Sequence, residues 1–105
     1  MEQVYEAVEL ANKTGALKKG INEATKAVER GKAKLVAYAA DVSPKEIVMH
    51  LPVLAKEKSV PCFEVSNKEE LGAAAGLARS TGAVAITKEG EAKSIIKELS
   101  GKKGE

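Results

Sequence analysis

Three aromatic side chains are all this sequence has: Tyr5, Tyr38 and Phe63, with no tryptophan. RNA-binding modules that read bases on a sheet face stack them on aromatic rings, and this chain has too few rings for that. A nucleic acid would have to be held by hydrogen bonds, charge and shape. Cysteine is as scarce. Cys62 stands alone, which removes a disulfide framework and a multi-thiol metal site, and its apolar surroundings make it a packing residue. No apolar run approaches 18 residues, so no membrane-spanning helix is expected. The opening Met1-Glu2-Gln3-Val4 lacks the basic-then-apolar order of a secretory signal. These absences lead to the expectation of a cytoplasmic protein with no membrane association.

The usual catalytic patterns are missing too. There is no Walker lysine loop, and no G-x-G-x-x-G follows a strand. Gly72 and Gly76 sit four apart on an alanine-rich helix and read as a close-packing pair. Asp41, Ser43 and His50 are the residue types of a hydrolytic triad, but triads are defined by geometry and nothing in this spacing requires one. His50, the only histidine, stands beside Leu51-Pro52 on a predicted helix and reads as structural. The expectation is no enzyme, no catalytic residue, no metal and no cofactor.

A chain of 105 residues is one domain, here 1–105, and can bury roughly 65% of its unfolded surface in one core. Its net charge of +2 is unevenly placed. Residues 1–12 carry only Glu2, Glu6 and Glu9. Residues 13–34 carry seven Lys and Arg against Glu23 and Glu29, a local +5, and the rest balances. A basic patch on a nearly neutral protein suits one specific anionic partner better than general polyanion attraction.

Taken in order, Val4, Tyr5, Val8 and Ala11 follow helical spacing up to Thr14-Gly15. Ala16–Gly20 is a connector or brief edge strand. A helix over Asn22–Arg30 follows, with Asn22 as its N-cap and Gly31 as its stop. Ala33–Ala40 is an apolar run of strand length, ended by Asp41. Ser43-Pro44-Lys45-Glu46 reads as a capping box opening a helix whose core contacts are Ile47, Val48 and Leu51. Pro52 should break or restart that helix, which continues over Val53–Lys58. Val60–Val65 is a strand. Ser66-Asn67-Lys68-Glu69 is a second capping box, for a helix reaching Ala75. Gly76–Gly82 is a loop, Ala83–Thr87 a buried strand and Ala92–Leu99 the last helix. Ser100–Glu105 reads as a frayed polar tail. Strands alternating with helices give an α/β fold, a three-layer α/β/α sandwich around a small mixed central sheet.

The most informative stretch is Gly20–Gly31. At about 100° per residue, Asn22, Glu23, Lys26 and Arg30 share one helix face, and Ala24, Ala27 and Val28 take the opposite one. Such a face is most often simply solvated, and Glu23 with Lys26 is an ordinary i,i+3 pair. It also offers an amide and a carboxylate for a base edge, and free N–H groups and cations for phosphate.

Gly20-x-Asn22-Glu23-Ala24-Thr25-Lys26-Ala27-Val28-Glu29-Arg30-Gly31 closely resembles the signature of the L-seven-Ae family of kink-turn RNA-binding proteins. Ala40-Asp41-Val42-Ser43-Pro44 with Glu46-Ile47-Val48, His50-Leu51-Pro52, Glu57-Lys58-x-Val60-Pro61 and Ala75-Gly76-Leu77 resemble further family segments. The resemblance implies the α/β/α fold and a role in stabilising kink-turns, sharply bent RNA helices with sheared G·A pairs and a flipped-out nucleotide. It implies that Asn22, Glu23 and Lys26 meet the sheared guanines, while Arg30 holds backbone phosphate. Ile47 and Leu77 would line a slot for the flipped base, and Lys68 and Arg79 would close around it. Lys19, Gly20 and Ala78 complete the implied RNA-binding set. Implied partners are kink-turns in ribosomal, box C/D, H/ACA or ribonuclease P RNA, and other ribonucleoprotein subunits such as a Nop-domain scaffold protein and ribosomal components. Archaeal-type members play these roles, and a monomer is implied for the free protein. The alternatives are a paralogue restricted to a single RNA and a protein-interaction domain on the same fold.

One small basic patch limits the number of phosphate contacts. The logarithm of the RNA association constant should therefore fall with the logarithm of salt concentration at a slope of roughly −2 to −5. Gel shifts from low to moderate salt measure it, and a slope near −10 would require a much larger charged interface.

Overall fold

The computed structural model describes Glu2 to Lys103, with side chains from Gln3 to Leu99. Helix α1 (Glu2–Thr14) leads into β1 (Ala16–Lys19), then α2 (Ile21–Glu29), β2 (Leu35–Ala39), α3 (Glu46–Glu57), β3 (Cys62–Val65), α4 (Lys68–Ala74) and β4 (Ala83–Lys88). A single 3-10 turn at Gly90–Ala92 feeds α5 (Lys93–Lys103). The polar tail expected from Ser100 is thus helical as far as Lys103, and Gly104 and Glu105 lie outside the described residues.

The four strands form one mixed sheet in the order β1-β4-β2-β3. β4 runs antiparallel to both β1 and β2, whereas β2 and β3 are parallel, joined by the α3 crossover. Helices α2 and α3 pack side by side over one face, and α1, with α4 and α5 against it, covers the other. This is the α/β/α sandwich that the alternating pattern implies. Both central strands are apolar because both of their faces are covered: Leu35, Val36, Ala37, Val84, Ala85 and Ile86 have no exposed surface. Alanine dominates the helix–sheet contacts, with Ala7, Ala11, Ala24, Ala27 and Ala75 all buried, so the helices lie close to the sheet. Among the described residues, no buried side-chain nitrogen or oxygen lacks a partner. At the sheet's end, burial raises the Tyr38 phenol above its ordinary value, and repulsion from Glu64 and Cys62 adds to it.

Five local expectations are corrected. Gly20, not Asn22, is the N-cap of α2, with φ 101° and ψ 154°. That conformation favours glycine and leaves Asn22 inside the first turn. Ser43 caps nothing, because Lys45 is the N-cap of α3 and the first free N–H groups go to backbone. Ile47 N–H donates to the Pro44 carbonyl (3.3 Å), and Val48 and Met49 both donate to that of Lys45 (3.0 and 3.1 Å). Ser66 does not cap α4 either. Asn67 does, its Oδ1 accepting from Glu70 N–H at 2.7 Å, while the Ser66 hydroxyl meets that of Tyr5 at 3.3 Å. Pro52 lies within one continuous α3, because burial of Val48, Leu51 and Ala55 on the sheet outweighs the one backbone bond that proline removes. Ile47 is not a core contact. It is 44% exposed, since it lies at the edge of the face that Val48, Leu51 and Ala55 bury, in the first turn of the helix.

The caps yield a stability test. Asn67→Ala should cost about 0.5–2 kcal/mol, whereas Ser43→Ala should leave the denaturation midpoint unmoved. Urea titrations of both variants check this, and equal losses would put the cap assignment in error.

Candidate functional site

The reversed direction of β4 brings four connections to one end of the sheet. β1 ends at Lys19 opposite Val84, β2 ends at Ala39 beside Val65 of β3, and β4 begins at Ala83 opposite Tyr38. The turn into α2, the β2–α3 and β3–α4 connections and the α4–β4 loop therefore meet there. Ligands of open α/β sheets bind outside such carboxyl ends.

Backbone bonds fix this end tightly. Gly20 N–H donates to the Ala83 carbonyl (2.8 Å), Ala39 N–H to that of Gly82 (2.9 Å) and Ala40 N–H to that of Val65 (2.8 Å). Lys68 ties three connections at once. Its N–H donates to Asp41 Oδ1 at 2.8 Å, and its carbonyl accepts from Thr81 N–H at 3.1 Å. The buried Thr81 hydroxyl then donates to the Ala83 carbonyl at 3.1 Å. Gly72 supports the same loop from below, since a Cβ there would lie 2.1 Å from the Arg79 carbonyl oxygen. The close-packing role read for this glycine is met by the loop, not by another helix.

Between these elements lies a cavity of about 420 Å³. Lys19, Gly20 and Ile21 form one wall, and Leu77 with residues 79–82 forms the other. Its lining is part apolar (Ile21, Leu77) and part cationic (Lys19, Arg79), a size and composition that suit a planar organic group with a nearby anion. Of α2, Ile21 alone lines this cavity, and the outer face of the helix follows on from it. Asn22, Glu23, Lys26 and Arg30 are exposed, whereas Ala24, Ala27 and Val28 are buried, which is the division that the helical spacing predicts. No side chain caps the start of α2, so its first N–H groups stay available. Glu23 Oε2 lies 3.9 Å from Lys26 Nζ, with both side chains about half exposed.

The structure therefore brings Lys19, Gly20, Leu77 and Arg79 into one cavity and sets Asn22, Glu23, Lys26 and Arg30 beside it. Ala78 joins Leu77 and Arg79 in a smaller adjoining depression with Glu69 and Ala73. Lys68 contributes its backbone to the knot, and its side chain is exposed without lining the cavity. Ile47 is exposed at the start of α3 and does not line it either. Sequence reasoning did not single out Ile21, Ser80, Thr81 or Gly82. Ile21 fills the unspecified position of the signature. Gly82 matters because a Cβ there would press on Ile21 and Val42, at 2.8 and 3.2 Å.

The imagined triad does not form. Asp41 is held by Lys68 N–H, and His50 by Thr25. The Thr25 hydroxyl donates to the Ile21 carbonyl at 2.7 Å, so its oxygen accepts the Nε2 proton of His50 at 2.8 Å. His50 thus staples α3 to α2. Among the described residues, no three His, Cys, Asp or Glu side chains are grouped to hold a metal ion, and no helix is long and apolar enough to cross a membrane.

With this geometry in view, residues 2–96 match the model of the Ribosomal protein L7Ae/L30e/S12e/Gadd45 family. Among solved structures, the chain is similar to the Giardia lamblia 15.5kD RNA binding protein, with 38% sequence identity and a TM-score of 0.89. The match covers 96% of this chain and 84% of that one.

The contact at Gly72 can be tested. A methyl there must displace backbone, so Gly72→Ala should cost about 1–3 kcal/mol and shift the amide signals of Leu77–Gly82. An unchanged midpoint with unchanged amide signals would mean that Gly72 does not support the loop.

Proposed function

The chain belongs to the Ribosomal protein L7Ae/L30e/S12e/Gadd45 family, and on that premise we propose that it is a cytoplasmic, non-enzymatic RNA-binding protein that captures and stabilises kink-turns. One observation carries the reading: an uncapped α2 exposes Asn22, Glu23 and Lys26 on the helix whose first residue, Ile21, lines a cavity shared with Leu77 and Arg79. Asn22 and Glu23 read the edges of sheared G·A pairs, the carboxylate accepting from guanine N–H groups. The flipped-out nucleotide enters the cavity between Ile21 and Leu77. Arg79 and Lys19 meet its phosphates, and Arg30 holds backbone further along. With few aromatics in the chain, stacking contributes little, and recognition rests on hydrogen bonds and on the RNA's bent shape.

The native targets are ribosomal, box C/D, H/ACA or ribonuclease P RNA, and the bound, bent RNA becomes a platform for further ribonucleoprotein subunits. Met49 and Val53 are 49% and 64% exposed on α3 and offer an apolar docking face for such subunits.

Glu23 separates this reading from a merely solvated helix face. Its exposed pair with Lys26 contributes at most a few tenths of a kcal/mol. By simple charge, Glu23→Ala removes one repulsion and strengthens RNA binding. As a base-reading residue its loss leaves guanine donors unpaired, and Glu23→Ala should then weaken kink-turn binding by about 1–3 kcal/mol. Binding to a matched straight duplex should stay level or rise slightly. Dissociation constants for both RNAs at one fixed salt concentration decide it, and equal or tighter kink-turn binding by the variant would refute the proposed contact.

A further inference from the structure

The cavity wall that carries Leu77 and Arg79 is fastened from outside. Arg79 stands between two anchors. Before it, Leu77 N–H donates to the Gly72 carbonyl at 2.9 Å, and after it, Thr81 N–H donates to the Lys68 carbonyl at 3.1 Å. The second anchor is only as fixed as Lys68, whose own N–H donates to Asp41 Oδ1 at 2.8 Å. Another contact comes from the same turn. Gly82 lies between Ile21 and Val42, since a Cβ on it would stand 2.8 Å from Ile21 Cδ1 and 3.2 Å from Val42 Cγ2. Ile21 lines the cavity, whereas Val42 is buried outside it. Asp41 does not line the cavity either. The turn after β2 therefore backs the wall in two places, at Gly82 directly and at Thr81 through Lys68.

The residue type at position 41 is informative. Asp41 is exposed, and among the described residues no cationic side chain lies within ion-pair distance of it. An unneutralised carboxylate at this end of the sheet repels phosphate, so its charge does nothing for RNA binding. What it supplies is an acceptor. Lys68 opens α4, and its N–H has no partner inside the helix. Asn67 caps Glu70 N–H from the adjoining position, at 2.7 Å. Asp41 caps Lys68 N–H from 27 residues away in sequence. Asn67 thus serves the helix alone, whereas Asp41 ties the helix to another connection.

We propose that Asp41 is a positioning residue for RNA recognition. Through Lys68 and Thr81 it sets where Leu77 and Arg79 stand opposite Ile21, and so how well the cavity distinguishes a flipped-out nucleotide from none. The inference rests on the kink-turn reading above and adds to it a residue outside the RNA contacts which that reading names. Ala78, Arg79 and Ser80 are exposed between the two anchors, so a shift at Thr81 reaches Arg79 across two residues. Asparagine offers the same acceptor without the charge, so one substitution separates geometry from electrostatics.

The test compares Asp41→Asn and Asp41→Ala with the parent. Asn67→Ala is the control, because it weakens α4 and leaves the Asp41 bond in place. Dissociation constants are measured at one fixed salt concentration for a kink-turn RNA, for the same RNA with the flipped-out position abasic, and for a matched straight duplex. Thermal melts and amide spectra of each RNA-free protein accompany them. Positioning predicts that Asp41→Ala reduces the discrimination between intact and abasic kink-turns about fivefold and moves the amide signals of Arg79–Gly82. Asp41→Leu, similar in shape and without an acceptor, should behave as Asp41→Ala does. Asp41→Asn should keep the parent's discrimination and bind all three RNAs equally or slightly tighter. Asn67→Ala should melt lower with its discrimination intact. The double variant Asp41→Ala/Arg79→Ala should bind no more weakly than Arg79→Ala alone, since Asp41 acts through that loop. Unmoved amide signals in Asp41→Ala, undiminished discrimination, or an equal loss in Asp41→Asn or in Asn67→Ala would overturn the proposal and leave the kink-turn reading standing. A parent protein without preference for the kink-turn over the duplex would overturn that reading instead, and the amide signals would still judge whether Asp41 positions the loop.

Discussion

The direction of β4 governs where everything functional can sit. Three strands run one way and the fourth runs against them, between β1 and β2. Had β4 been parallel, the loop from Ala75 to Gly82 would have opened at the opposite end of the sheet, far from Gly20. The reversal instead places that loop against the start of α2, and a cavity forms between segments about sixty residues apart in sequence. The constraint is supported by the core. Ala83, Val84, Ala85 and Ile86 are wholly buried, so a one-residue slip of β4 would exchange the faces of four packed side chains.

Electrostatics then divides the labour along α2. The helix puts small apolar residues on the sheet and every charged residue outward, so its outer face costs the fold little. The exposed ion pair between Glu23 and Lys26 is weak enough to exchange for a ligand. At one end the uncapped N–H groups and the amide of Asn22 offer directional hydrogen bonds. At the other the cations of Arg30 and Lys32 offer charge without much direction. Under the proposed function, specificity and affinity would be separated along one short element, in the way that base contacts and phosphate contacts divide nucleic-acid recognition.

Much of the fold was legible because its signals are local. The apolar runs at Leu35–Ala39 and Ala83–Ile86, and the split faces of α2, follow from periodicity alone. The errors arose where two local rules competed. Ser43 and Ser66 match the capping-box pattern, but Asn67 is the better cap one residue later, and the backbone of Pro44 and Lys45 satisfies the start of α3. Asn22 lost the cap position to Gly20, whose left-handed conformation no periodicity reveals. The candidate site was legible chiefly through the Gly20–Gly31 signature. The parts of it that depend on long-range contact, such as Thr81 folding under Lys68 or Gly82 against Ile21, leave no trace in spacing.

The knot at Lys68 has a consequence for motion. One residue's amide and carbonyl hold Asp41 and Thr81, so the β2–α3, β3–α4 and α4–β4 connections share a single fastening. A displacement of Lys68 itself strains both bonds at once, which couples the opening of these three connections. A ligand that settles against the α4–β4 loop alone thereby also quiets the turn ahead of α3, at a site it never touches. Order spreads across this surface through a shared backbone, with no change of shape required.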